Sequence, residues 1–67
     1  MKVKELQTGD RFYYPRDKKR ITFKVIDKCV FNSAAGTSTR PCLNEKTGSI
    51  DDKQCRIEVI KIEPKIL

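Results

Sequence analysis

Hydrophobic and polar side chains alternate along the stretch from Arg20 to Asn32. The odd positions carry an apolar row made up of Ile21, Phe23, Val25, Cys29 and Phe31. A period of two, with β-branched and aromatic side chains on one face, predicts a β-strand rather than a helix. Asp27 is the one interruption of this row. We expect the strand to bulge or bend there, so that the carboxylate escapes the core.

The C-terminal stretch repeats this period but changes the face that is apolar. Cys55, Ile57 and Val59 share one parity, whereas Ile60 and Ile62 share the other. A strand that moves its apolar face in this way is bulged or crosses between two packed sheets.

Turn-forming sequences separate the strand-like runs. Gly9–Asp10, Asn32–Thr37 and Asn44–Gly48 combine glycine with side chains that bond the local backbone. Pro41 places the run between the last two turns at a sheet edge or at a bulge. About five short strands, with turns roughly every ten residues, predict an all-β fold, a small open barrel of antiparallel strands. We expect one small β-barrel domain over residues 1–63 and a C-terminal tail over residues 64–67.

Length and composition agree with one small soluble domain. A chain of 67 residues has room for a single core. No apolar run approaches the roughly 18 residues of a spanning helix, and Lys2, Lys4 and Glu5 stand where a signal peptide has its apolar stretch. An odd number of cysteines argues against a secreted disulfide scaffold. We therefore expect a cytoplasmic protein with no membrane partner.

The sequence offers little for catalysis or metal binding. It contains no histidine, which is the commonest general base and metal ligand. Cys29, Cys42 and Cys55 lack the close pair and the fourth ligand of a structural zinc site. We expect three reduced, inward-facing thiols, with a redox pair or a metal site as the lesser alternatives. The prediction is a protein that is not an enzyme, with no catalytic residues, no metal and no cofactor.

Positive charge is concentrated in the first half of the chain. Residues 1–33 carry nine lysines and arginines against four acids, in a chain of net charge +6. A basic loop follows three aromatic residues, a layout typical of barrels that bind nucleic acid through phosphate contacts and base stacking. The candidate binding residues are Arg16, Lys18, Lys19, Arg20, Lys24 and Tyr13. A solvated hairpin with ordinary surface charges accounts for the same sequence, so both interpretations stay open.

Several turn and core positions resemble those of a known group of proteins. They are Leu6, Gly9, Asp10 and Phe12, then Phe23 and Val25, then Cys42–Asn44 and Thr47–Gly48, and finally Val59 and Ile62. With these residues the chain resembles small uncharacterised SH3-like β-barrel proteins seen in phage and prophage neighbourhoods. The resemblance implies the fold and a phage origin. It implies no activity, because its motifs are turn and core residues.

Two functions are consistent with these features. The first is a non-enzymatic module that binds nucleic acid through the basic loop and the adjacent strand face. The second is a protein–protein interaction module, such as a phage-encoded factor that docks on an acidic host protein or pairs an edge strand near Pro41 with a partner. Both functions use the same charges. The sequence specifies neither the partner nor the oligomeric state.

Overall fold

The computed structural model describes residues 1–63 and contains one antiparallel sheet of six strands that does not close into a full barrel. The strands are β1 (Arg11–Tyr13), β2 (Phe23–Val25), β3 (Val30–Asn32), β4 (Thr37–Asn44), β5 (Ile50–Gln54) and β6 (Ile60–Ile62), preceded by a 3₁₀ turn at Val3–Glu5. The predicted fold class, an all-β open barrel of short antiparallel strands, is confirmed, with six strands where about five were expected. The predicted tail, residues 64–67, lies outside the described residues.

The longest strand, β4, lies in the middle of the sheet. Its C-terminal half pairs with β2 and its N-terminal half pairs with β3, both on one edge. Strand β5 pairs along the opposite edge of β4. Strand β1 joins β2, and β6 joins β1. The free edges among the described residues therefore belong to β3, β5 and β6.

Strands β2 and β3 are two pieces of the single run predicted from Arg20 to Asn32. Val25 lies opposite Cys42 and Val30 lies opposite Thr39. Four residues of the run, 26–29, therefore face only two residues of β4, which is a bulge. Asp27 lies within it and is exposed. The predicted interruption at Asp27 is confirmed.

Pro41 occupies the position of β4 that faces this bulge. Its carbonyl oxygen accepts a hydrogen bond from the Ile26 amide at 3.0 Å. Proline has no amide to contribute, and regular pairing on this edge is already broken by the bulge, so the position tolerates it. Of the two placements predicted for Pro41, the bulge is confirmed. The alternative prediction, that Pro41 lies at a sheet edge, is wrong, because β4 is paired on both sides.

The core lies under β1, β2 and the C-terminal half of β4. It consists of Val3, Leu6, Phe12, Phe23, Val25, Cys42 and Val59, with Tyr14, Ile21 and Ile57 packed against it. The rings of Phe12 and Phe23 stack with centroids 5.5 Å apart, and the Tyr14 ring meets both edge-on. Such aromatic contacts stabilise a small core beyond the area that they bury.

At Val59–Ile60, where the sequence predicts that the apolar face of the strand changes, the chain changes the segment with which it pairs. The Val59 side chain is buried, and its amide donates to the Met1 carbonyl at 2.7 Å, whereas Ile60 is exposed. Residues up to Val59 pack against the N-terminal segment, and β6 then pairs with β1.

Arg40 is a buried cation that ties three segments together. Its guanidinium donates to the carbonyls of Asp27 at 2.6 Å, of Val3 at 3.0 Å and of Leu6. A buried charge is tolerated when its donors are satisfied. Arg40 thus fastens the bulge and the N-terminal turn to the centre of the sheet.

The cysteines correct an expectation drawn from the sequence. Cys29, in the bulge, forms a disulfide with Cys55, just after β5, with Cα atoms 6.4 Å apart. Cys42 is a free, buried thiol. The prediction of three reduced core cysteines holds for Cys42 alone. The redox pair, one of the lesser alternatives, is what the structure contains. It arises because the bulge turns Cys29 toward the end of β5.

Candidate nucleic-acid interface

The basic loop between β1 and β2 is ordered by one acidic side chain. The Asp17 carboxylate accepts hydrogen bonds from the amides of Lys19, at 3.0 Å, and Ile21, at 2.9 Å. The Asp17 backbone adds bonds to Tyr14 and Arg20. An aspartate that caps local amides in this way holds a turn in one shape. The acid inside the basic run is therefore a scaffold for the cations around it.

Four of the predicted binding residues project from this loop. Arg16, Lys18, Lys19 and Arg20 are all exposed. The ion pairs formed within residues 1–63 use other cations, namely the N-terminal amine, Arg11 and Lys61. Within the described part of the chain the four loop cations thus form no ion pair, and Asp17 is the one acid among residues 16–20.

Tyr13 and Arg20 are brought together. Tyr13 lies on the side of β1 opposite the buried Phe12 and is half-buried. The Arg20 guanidinium carbon lies 5.2 Å from the centroid of the Tyr13 ring, a cation–π contact. Arg20 has a φ of +49°. This left-handed conformation costs a non-glycine residue roughly 1–2 kcal/mol, and the Asp17 bonds and the ring contact hold it.

Lys24 occupies a different environment from the loop cations. It is exposed on β2 and lies opposite Arg11 of β1 in the sheet. The Arg11 Nε atom donates to Glu45 at 2.8 Å. This bond lowers the pKa of the Glu45 carboxyl, and the Lys24 charge lowers it further. Glu45 thus offsets part of the positive charge beside Lys24.

Sequence reasoning missed Arg11 and Glu45. The Glu45 amide donates to the Thr22 carbonyl at 3.0 Å, which brings the β4–β5 hairpin against the start of β2. Glu45 is far from Arg11 and Lys24 in the chain, so no local signal places it there. Only the pairing of β2 with β4 reveals the contact.

A shallow groove of about 410 Å³ runs beside the loop. Tyr14, Pro15, Arg16, Ile57 and Glu58 line it. The Glu58 carboxylate is paired with the N-terminal amine at 2.9 Å, so Arg16 is the lining cation that stays available. The groove gives an apolar floor next to a positive charge, a combination that suits a base and its phosphate.

The titratable core groups are not poised for nucleophilic chemistry. Burial raises the pKa of the Cys42 thiol to about 11 and that of the Tyr14 hydroxyl to about 12. Both groups are protonated and unreactive near neutral pH. Residues 1–63 contain no group of three or more cysteine or acidic side chains placed to hold a metal ion.

Comparisons with protein-family models, with curated proteins and with solved structures find no match to this chain. None of the helical structure within residues 1–63 is long and apolar enough to cross a membrane.

Proposed function

We propose that this protein is a non-enzymatic nucleic-acid-binding module that grips the phosphate backbone with the loop between β1 and β2. The observation that carries the proposal is the set of four exposed loop cations, held in one shape by Asp17 and left without ion pairs within residues 1–63. A loop whose backbone is already ordered binds phosphates with less loss of backbone freedom than a mobile tail.

Arg20 and Tyr13 act as a unit in this proposal. The ring supports the guanidinium, whose plane offers both charge and a stacking surface to a nucleotide. Lys24 has a secondary role, because Glu45 lies beside it. The mode of binding is sequence-independent, since phosphate contacts position a nucleic acid without reading its bases. The cytoplasmic location stays a prediction, and the Cys29–Cys55 disulfide counts against it, because disulfides are rare in reducing compartments.

The salt dependence of binding tests the proposal. Affinity for a labelled oligonucleotide of about 20 nucleotides is measured between about 50 and 300 mM NaCl. Four phosphate contacts give a log–log slope of about −3 to −4, because each contact releases condensed counterions. The double variant K18E/K19E is expected to weaken binding at least about tenfold at low salt and to flatten the slope by about two.

A matched variant separates a local site from overall charge. Lys4 and Lys28 are exposed and lie near the opposite end of the β1–β2 hairpin, so K4E/K28E changes the net charge by the same amount. We expect it to weaken binding less than about threefold, since screened charges act mainly within about 8 Å at physiological salt. Equal losses in the two variants, or no binding at low salt, would contradict the proposal. Binding of an acidic protein in place of any nucleic acid would favour the interaction module.

Substitutions at Tyr13 test the unit it forms with Arg20. Tyr13→Phe keeps the ring and is expected to bind as the parent does. Tyr13→Ala removes the support and is expected to weaken single-strand binding by roughly 1–2 kcal/mol with little change in the salt slope. A Phe variant as weak as the Ala variant would assign the effect to the hydroxyl and not to the ring.

A further inference from the structure

Strand β3 is an edge of the sheet that carries no protection against pairing. Within residues 1–63 it bonds to β4 on one side only, and its Val30 and Phe31 side chains are 55% and 67% exposed. The other free edges are guarded by charge, with Asp51, Asp52 and Lys53 in β5 and Lys61 in β6. Charged residues on edge strands prevent sheets from joining. Among the described edges, β3 lacks this device.

The backbone groups of Phe31 point toward the free edge. Phe31 lies opposite Ser38, whose carbonyl accepts the Cys55 amide at 3.1 Å on the other side of β4. Ser38 therefore does not bond to Phe31, and in an antiparallel ladder the groups of a non-bonded pair face away from each other. The Phe31 amide and carbonyl are thus available to a further strand.

The segment around β3 is also uncharged. No acidic or basic residue lies between Cys29 and Thr39, in a chain of net charge +6 with 36% charged residues. A nucleic acid finds no phosphate contact here, and an acidic protein finds no ion pair. One charged side chain, the acid Asp52, lines the groove beside Val30 and Phe31, so this groove offers no cation to either partner and suits an apolar strand.

We infer that β3 pairs antiparallel with β3 of a second copy of this chain. A two-fold axis at Phe31 makes its amide and carbonyl bond reciprocally with those of Phe31 in the other copy, and it sets the two rings side by side. Aromatic pairs across strands stabilise a sheet. The uncharged segment is also where two copies with a charge of +6 meet with the least repulsion.

The dimer leaves both basic loops open. Ser38 of β4 lies opposite β3, and Asn44 of β4 lies opposite Phe23, next to the basic loop. The two positions are separated by roughly 20 Å along the strand. This distance is well beyond the screening length of about 8 Å at physiological salt. Self-association and the proposed nucleic-acid binding therefore use different surfaces. Their salt responses are opposite, because added salt weakens repulsion between copies but also weakens phosphate binding.

Sedimentation velocity over a concentration series tests the dimer. We expect the 7.8 kDa monomer to convert reversibly to a dimer in the range of about 10 μM to 1 mM, as befits a small interface, and to do so more completely at higher salt. Phe31→Lys is expected to raise the dissociation constant at least tenfold. Ile50→Lys is the matched control, since Ile50 is 61% exposed on β5, and it is expected to dimerise as the parent does.

A cysteine cross-link tests the register. In Phe31→Cys the two introduced sulfurs meet at the axis, where Cα atoms about 5.5 Å apart suit a disulfide. Asn32→Cys lies opposite Val30 of the other copy and is expected to cross-link poorly. The inference is overturned by a monomer up to about 1 mM, by equal loss of dimer in the Phe31 and Ile50 variants, or by preferential cross-linking at Asn32. Circular dichroism checks that each variant is folded.

Discussion

Strands β2 and β3 both pair with the same edge of β4. They share an alternating pattern but differ in burial. Phe23 and Val25 of β2 are almost completely buried. Val30 and Phe31 of β3 are more than half exposed. Both strands pair with β4 in the same antiparallel sense, so the pairing itself does not produce the difference.

The difference lies in what covers each strand. Strand β2 is flanked by β1, and the Phe12 and Tyr14 rings and the N-terminal turn pack over its apolar face. Within residues 1–63, strand β3 has β4 as its one neighbour, and nothing comparable packs over its faces. A period of two therefore specifies a strand, whereas burial requires a second layer that the pattern does not describe.

The largest effect on stability is expected when a phenylalanine is shortened to alanine in each strand. Phe23→Ala is expected to cost roughly 3–5 kcal/mol of unfolding free energy, because it opens a cavity inside the aromatic cluster. Phe31→Ala is expected to cost less than about 1 kcal/mol in dilute, monomeric protein. Urea unfolding followed by circular dichroism measures both. Similar costs for the two variants would mean that β3 is covered as β2 is.

The disulfide sharpens the comparison, because it attaches the start of β3 to the end of β5. Its partners are 26 residues apart, and closing a loop of that length stabilises a chain by roughly 3 kcal/mol. We expect C29A/C55A to lose about that much stability. Amide hydrogen exchange is expected to speed up most at Val30 and Asn32, whose amides face β4, and least at Phe23–Val25.

Cys42→Ala is the control for this experiment, since its thiol takes no part in the disulfide. It is expected to lose stability through a small cavity while leaving the exchange of β3 unchanged relative to β2. Faster exchange in β2 than in β3 after removal of the disulfide would contradict the prediction that this bond chiefly holds β3.

The smallest expected effect is a pH dependence of the unfolding free energy that arises from Cys42 in the buried core. Burial raises the pKa of Cys42 from 9.0 to about 11. Between these values the unfolded chain binds fewer protons at this site than the native one, so the unfolding free energy falls as the pH rises from 9 to 11. Cys42→Ala is expected to show a shallower fall than the parent. Unfolding series at several pH values measure it, and identical slopes would count against the burial of this thiol.

The local sequence predicts which residues of the candidate site are exposed. It does not predict which charged groups contact one another there. The exposed cations of the loop and the outward side of Tyr13 were predictable, since both depend on alternation and on turn composition. The contact of Arg20 with Tyr13 depends on the shape that Asp17 imposes on the loop. The Glu45 carboxylate beside Arg11 and Lys24 depends on a hairpin formed much later in the chain.

By itself the sequence determined the all-β class, most of the turns and the bulge at Asp27, because these depend on backbone preferences and on neighbours a few residues away. It did not indicate β5, whose charged residues show no apolar alternation. Tertiary structure decided which apolar side chains are buried and that Cys29 meets Cys55. It also decided that Arg40, unremarkable in the sequence, becomes the buried donor to three carbonyls. The physical reason is that each of these features needs groups distant in the chain to meet. The pairing of the strands decides which distant residues come into contact. Many pairings are compatible with one pattern of alternation.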